Sequence, residues 1–437
     1  MTGLVEIPDA ASFVLADARV PACLVDDPPP DAAPDAKGLL RLDIEIADGR
    51  IVGLAAHRDD DEAAGRVDLG GGMVWPGLVD LHTHLDKAFT SPRCPNQDGS
   101  LEGALSAVAA DRPLWTPDDL RARMEFALRC ALAHGTVALR THIDSRPPRH
   151  LVSWPVFREL RDEWRGRIAL QAVSLVPLEA FADADYATEI ADLVRDCGGV
   201  LGAVTGVDAG NETVLDRVFG LADERGLDLD FHADETDDPG ARSFDRIARA
   251  AIAHRFEGRV VVGHCCSLAM RPADEADRAL DLAAAAGLHV VSLPMCNLYL
   301  QDRRAGRTPR WRGVTLLHEM TARGIPVSLA SDNVRDPFHA YGDFDMLEVF
   351  AQAVKIAHLD RPVGDWPAAV TRTPAGVMGL ADAGRLRVGG PADLVLFRAR
   401  FWGEMLSRPQ HDRIVLRVGR PIDAAPPDYR ELDRLFE

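Results

Sequence analysis

The chain of 437 residues carries 49 basic and 68 acidic side chains, a formal net charge of −19 at pH 7. That surplus argues against a nucleic-acid polymer or an anionic membrane as partner, because both require a basic face. With 47% hydrophobic and 27% charged residues the composition is that of a soluble globular protein, neither disordered nor fibrous. Seven scattered cysteines with no Cys-x-x-Cys pair fit reduced thiols better than a disulfide framework or a zinc knuckle. MTGLVEIPDA at the start has neither a basic nor an apolar leader segment, and no run reaches the 18 apolar residues of a membrane span. The expected location is cytoplasmic.

Residues 1–75 read as short β pieces separated by Pro, Gly and Asp, among them Ser12–Leu15, the alternating Leu40–Ile46 and Arg50–Leu54. DDPPPDAAPDAKG (26–38) reads as a loop between two of them. From residue 73 the texture changes to apolar, strand-length runs alternating with helical periods. The runs are 74–86, 136–144, 167–177, 200–208, 227–235, 259–266, 289–297 and 325–333. Between them TPDDLRARMEFALRCALAHG (116–135) opens on Thr116 as a cap and closes on Gly135, and GNETVLDRVFGLADERG (210–226) also closes on glycine. Eight buried strands alternating with helices predict an α/β fold, a parallel (β/α)8 barrel of the TIM type over residues 76–384. After about residue 385 the pieces 384–397 and 412–422 return to β texture. Together with residues 1–75 they predict one small β-sandwich domain built from both chain ends, 1–75 and 385–437.

Ionisable residues recur at the ends of these runs. Run one ends in His82-Thr83-His84, and residues two apart on a strand project to the same side, so both imidazoles can reach one metal ion. Run five ends in His232 with Glu235 beyond it, run six in His264, and run eight in Asp332-Asn333. Singly these have ordinary explanations: His264 as a hydrogen-bonded core residue, Asp332 as a helix cap, Glu235 as part of an acidic turn. Recurrence at the carboxyl ends of four strands, the active-site face of such a barrel, is what points to a metal site. The predicted ligands are His82, His84, His232 and Asp332, suiting Zn2+ first, with Fe2+ and Mn2+ fitting the same N/O set. A metal so held lowers the pKa of water toward ~7. Glu235 is placed to carry protons, and His264 and Asp332 to assist attack, which makes these three the catalytic candidates. Only Lys37, Lys87 and Lys355 are lysines, and none falls on runs three to five, so a lysine-bridged pair of metals is not expected.

Across nearly the whole chain the motifs resemble the amidohydrolase superfamily, and within it the cytosine deaminase group. The resemblance lies in MVWPGLVDLHTHLDK (73–87), RTHID (140–144), HADETDD (232–238), GHCCSLAM (263–270), CNLYLQDRR (296–304), SDNVRDP (331–337) and GGPADLVLF (389–397). It implies hydrolytic loss of ammonia from an amino-substituted N-heterocycle, with Glu235 protonating the ring nitrogen next to the attacked carbon. Three positions depart from the group: Leu178 follows Pro177 where the group has a glutamine, Asn333 replaces a second aspartate, and Phe338 replaces a tryptophan. These are the expected substrate contacts, and they disfavour cytosine itself, because recognition by hydrogen bonds discriminates strongly. Pterins, isoguanine and amino-triazines are the group's other substrates. The alternative is a hydrolase of a cyclic amide or of an N-alkylamino heterocycle on the same scaffold. The expected partners are a small heterocycle and water, and a homo-oligomer is compatible with the sequence. The arginine run in QDRRAGRTPRWRG (301–313) reads as a solvated loop before it reads as an anion site.

Overall fold

The structure is a computed structural model that describes residues 5–59, 65–206 and 212–436. Residues 1–4 of the amino-terminal segment, residues 207 and 208 of the fourth run, and residues 210 and 211 of the following helix lie outside the described residues.

The alternating amino-terminal stretches form β1 (Ser12–Pro21), β2 (Leu39–Ala47), β3 (Arg50–Ala56) and β4 (Arg66–Asp68), ordered β3-β2-β1-β4 in one sheet. β2 buries Leu40, Leu42, Ile44 and Ile46 on one side, as period-2 alternation requires. The first long run is divided in two. β5 (Val74–Pro76) ends before Gly77, and β6 (Leu78–Thr83) begins after it. A side chain at Gly77 would meet Val137 Cγ1 at 2.1 Å, so this break needs glycine.

The remaining runs form β7 (Thr136–Asp144), β8 (Ala169–Leu175), β9 (Leu201–Val204), β10 (Leu229–Ala233), β11 (Val260–His264), β12 (His289–Ser292) and β13 (Val327–Leu329). β6-β7-β8 form one sheet and β9 to β13 another, in chain order. Single parallel bridges close the ring: Val173–Val200 and Pro177–Val204 join β8 to β9, and Thr83–Asp332 joins the ends of β6 and β13. β6, β7, β10, β11 and β12 are buried along their whole length, as expected of strands covered on both faces. Helices α1 (Leu101–Asp111), α2 (Pro117–Ala133), α3 (His150–Glu163), α4 (Ala184–Asp196), α5 (Glu212–Arg225), α6 (Ser243–His254), α7 (Ala273–Ala285), α8 (Pro294–Leu300) and α9 (Leu317–Ala322) lie between the strands in sequence. The expected cap is present on α2, where Thr116 Oγ1 accepts from the Asp119 N–H at 3.2 Å.

After α10 (Met346–Ile356), the strands β14 (Leu394–Leu396), β15 (Ile414–Arg417) and β16 (Arg420–Pro421) join β5 in a sheet ordered β16-β15-β14-β5. The chain divides into two compact units. One comprises Met1–Asp80, Arg129–Ala138 and Asp345–Pro427, and holds both four-stranded sheets together with α10. Its core gathers Trp75, Phe350, Phe397 and Trp402, with Trp75 and Phe350 edge-to-face at 5.3 Å. The other comprises Leu81–Leu128, Leu139–Phe344 and Asp428–Glu437. The first unit includes α10 and the segment that follows it. Among the described residues no helix is long and apolar enough to cross a membrane.

Candidate active site

The metal and catalytic candidates lie in the second unit, at or just past the carboxyl ends of barrel strands. β6 delivers His82 and, just past its end, His84; β10 delivers His232, β11 His264, and the turn after β13 delivers Asp332. His84 Nε2 is 3.1 Å from Asp332 Oδ1 and 3.4 Å from His232 Nε2, and His82 Nε2 is 3.6 Å from Asp332 Oδ1. A tetrahedron with ~2.1 Å metal–nitrogen bonds has edges of about 3.4 Å, so this spacing suits one divalent ion. Burial first, then the neighbouring imidazoles, holds His82 well below its usual pKa; burial and then Lys87 do so for His84, and burial and then His142 for His232. Neutral imidazole is the form that ligates a metal.

Backbone geometry aims these groups. Asp234, His264, Cys265 and Asp332 all have left-handed φ, between 53° and 72°, a cluster of strain typical of functional sites. Asp332 is pinned twice to β6: its N–H donates to His82 O at 2.9 Å, and Thr83 Oγ1 donates to Asp332 O at 2.8 Å.

Beside the cluster, the Asn297 amide on α8 donates to both Glu235 Oε1 at 3.1 Å and His264 Nδ1 at 3.0 Å. With Nδ1 accepting, the neutral His264 ring carries its proton on Nε2. Burial pushes His264 down to about 3, so it stays neutral. Burial, then the Asp332 carboxylate, pushes Glu235 well above the usual carboxyl range, although its side chain keeps 20% exposure. A carboxyl so raised binds its proton more tightly than an ordinary one, as a group that carries protons to a substrate requires.

Two further groups had no sequence signal that singled them out. His142, near the end of β7, lies tilted at 36° against His82 with ring centroids 3.9 Å apart, and one of its nitrogens falls within the same donor cluster as those of His82, His84 and His232. Asp230 lies behind it, 3.4 Å from His142 Nε2 and 2.9 Å from Arg140 Nη1. Asn297 sits in a segment already matched to the family's seventh strand loop, yet nothing in its spacing identifies it as the link between Glu235 and His264. Lys87 is buried between Asp86 Oδ1 at 2.9 Å and Asp144 Oδ1 at 3.1 Å. Burial pulls its pKa down, but Asp144 and Asp86 outweigh that and keep it raised.

A cavity of about 560 Å3 opens over the cluster, lined at its inner end by His84, His232, Glu235, His264 and Asp332. Asn333 and Phe338 line it too. Asn333 donates to Asp336 Oδ2 at 2.6 Å, which fixes its amide. Leu178 is buried at the start of a 3-10 turn, and Pro177 is the lining residue at that point. The 301–313 run turns on itself: Asp302 accepts from Arg307 and from the Arg310 N–H, and Arg303 stacks on Tyr299.

The profile of the amidohydrolase family matches residues 66–214 and 203–418. A pterin deaminase from Rhizobium rhizogenes is 50% identical over 430 residues, covering 98% of both chains. An N-isopropylammelide isopropyl amidohydrolase from a Pseudomonas species is 28% identical, over 82% of this chain and 87% of its own. In structure, a 5-methylcytosine deaminase from Klebsiella pneumoniae superposes with a TM-score of 0.80 over 94% of this chain and 97% of its own, at 23% identity.

Proposed function

The chain belongs to the amidohydrolase family, and on that premise we propose that it is a pterin deaminase holding one Zn2+ on His82, His84, His232 and Asp332. Its reaction class is hydrolytic deamination of an amino-substituted N-heterocycle, dependent on a divalent metal. When bound, the ion supplies Lewis acidity and makes water a nucleophile at neutral pH. The observation that carries the reading is the triangle of Glu235, Asn297 and His264 standing beside His82, His84, His232 and Asp332, three of whose ligand-atom pairs lie 3.1, 3.4 and 3.6 Å apart.

Glu235 takes a proton from water as the water oxygen bonds to the amino-bearing carbon and hands it to the adjacent ring nitrogen; it then carries the proton of the new hydroxyl to the amino group, which leaves as ammonia when the C–N bond breaks. His264 donates from Nε2 to the oxygen that gains charge at the attacked carbon. Asn297 holds both in register. Asn333, Phe338 and Pro177 border the ring site, with Leu178 buried behind Pro177. Support for a pterin in place of another amino-heterocycle comes from the 50% identity to the Rhizobium enzyme along the whole chain. The two four-stranded sheets of the other unit are read as a β-sandwich joining both chain ends.

The test is ammonia release from pterin by zinc-loaded protein, alongside isoguanine, ammelide and cytosine. Glu235→Gln is expected to keep its metal and lose about 10²–10⁴-fold in kcat, the usual worth of a general acid–base group. Absence of ammonia from pterin overturns the substrate assignment, and near-normal turnover of Glu235→Gln removes that residue from the mechanism. Release of an alkylamine from N-isopropylammelide without ammonia from pterin would favour the alternative chemistry of the Pseudomonas relative.

A further inference from the structure

Two of the proposed ligands sit on segments that leave the barrel side by side. The chain after β6 runs from His84 through Lys87 to Ser91, and the chain after β13 runs from Asp332 through Asn333 to Arg335. The two are bonded to each other: the Phe89 N–H donates to Val334 O at 3.2 Å and the Ser91 N–H to Arg335 O at 2.9 Å. At this crossing Phe89 and Arg335 both hold left-handed backbone, with φ of 62° and 51°. A bulky side chain keeps that conformation only where its surroundings over-determine it.

What covers both residues comes from far along the chain. The segment from Asp428 onward belongs to the barrel unit, and Asp428 caps its 3-10 turn, Tyr429–Leu435, by accepting from the Arg430 N–H at 3.0 Å. The Tyr429 ring lies 4.2 Å from the Arg335 guanidinium and 6.2 Å, centroid to centroid, from the Phe89 ring. It also stacks on Phe126 of α2 at 5.8 Å. Its hydroxyl donates to Asp343 Oδ1 at 2.7 Å, and Arg93 Nη1 donates to Leu435 O at 3.4 Å. Among the described residues the buried Arg335 Nε has no hydrogen-bond partner, which leaves the ring face to hold the guanidinium. Tyr429 itself is 39% exposed, so burial alone does not account for its place.

We propose that Tyr429 is a positioning residue for the metal site. Resting on Phe89 and Arg335 at once, it latches the segment behind His84 to the segment behind Asp332. That latch fixes the separation of the two ligands, 3.1 Å between His84 Nε2 and Asp332 Oδ1. Tyr429 acts through these segments and not by contact with the ion. The inference rests on the reading of His84 and Asp332 as ligands. Loosening the latch costs metal retention and turnover more than substrate affinity, because the ring site is lined by other residues.

The experiment uses full-length protein, with Zn2+ for turnover of pterin and Co2+ as a spectroscopic probe. Tyr429→Ala is expected to lose Co2+ to a chelator about 10-fold faster than wild type, the low end for a group that supports metal ligands. Its visible Co2+ absorption changes, and kcat falls by a similar factor with KM little altered. Tyr429→Phe keeps the ring and recovers most of the retention. Should Tyr429→Ala not fold, Tyr429→Leu, which keeps apolar bulk without the aromatic face, carries the same expectation. Leu432→Ala removes a buried side chain from the same turn and is expected to lower thermal stability while leaving the Co2+ absorption unchanged. Wild-type retention and absorption in Tyr429→Ala overturn the latch, as does a Leu432→Ala protein that shifts both equally. If the wild type takes up neither ion, the ligand reading fails and amide exchange at Phe89 and Ser91 decides the latch. Faster exchange there in Tyr429→Ala sustains it, and an unchanged rate overturns it.

Discussion

The inner and outer ends of one cavity follow opposite rules. At the inner end His82, His84, His232, His264 and Asp332 are each at most 8% exposed, and four positions there, Asp234, His264, Cys265 and Asp332, hold left-handed backbone. At the outer end Leu105 is half exposed and Arg146 is solvated. Buried polar groups are tolerable only when each has a partner, so the inner end is rigid by necessity. The outer end is under no such demand and can be changed without unmaking the barrel. Chemistry sits where residues are mutually constrained.

The contrast can be tested in order of effect. Asp332→Ala should cost more activity than the ~10–100-fold that follows loss of a hydrogen bond behind a metal ligand, with metal content falling in parallel. An active, metal-replete Asp332→Ala protein would mean the inner end is less constrained than its geometry implies. Asn297→Ala should lower kcat by about 10–100-fold while leaving the metal in place. It should also move the pH profile. The Asn297 hydrogen bond lowers the Glu235 pKa against burial and Asp332, so its loss raises that pKa. Activity that needs ionised Glu235 then rises at higher pH than in the wild type. An unmoved acidic limb would show that Asn297 does not act through Glu235.

The smallest expected effect concerns stability. Arg123 donates from Nη1 to Asp86 O at 2.6 Å and Ala88 O at 3.2 Å, anchoring the segment after β6, and Asp119 Oδ2 accepts from Arg123 Nη2 at 2.6 Å. Burial raises the Asp119 pKa, but Arg93 and Arg123 outweigh it and hold the carboxyl below its ordinary value of 3.8. Because the folded pKa is the lower one, this stabilisation is complete above the ordinary value and fades as pH drops through the folded value. Asp119→Asn should cost about 1–3 kcal/mol at pH 7 and progressively less under acid, read by denaturant unfolding at both pH values. An equal loss at both pH values would show that charge pairing is not what Asp119 contributes.

The sequence by itself determined what depends on short range. Eight apolar runs at strand length were visible because a strand covered on both faces must be apolar almost throughout. The pairing of His82 with His84 was visible because residues two apart share a side. The structure gathers these with His232, His264, Glu235 and Asp332 in one buried place, and the strand-end positions of all six were legible beforehand. The division within the first run was not, since Gly77 is required by the approach of Val137 and not by any local pattern.

Tertiary structure alone decided the rest. Asn297 reaches Glu235 across 62 positions of sequence only because α8 begins immediately after β12. His142 packs against His82 because β6 and β7 are neighbours in one sheet. Arg112 and Arg146, separated by α2, β7 and the turn after β7, share one cavity wall. The arginines that stood out in the sequence, those of 301–313, bind their own loop instead. Residue type and period are properties of a segment, but proximity between strands is set by barrel closure, and no local pattern encodes which loop will face which.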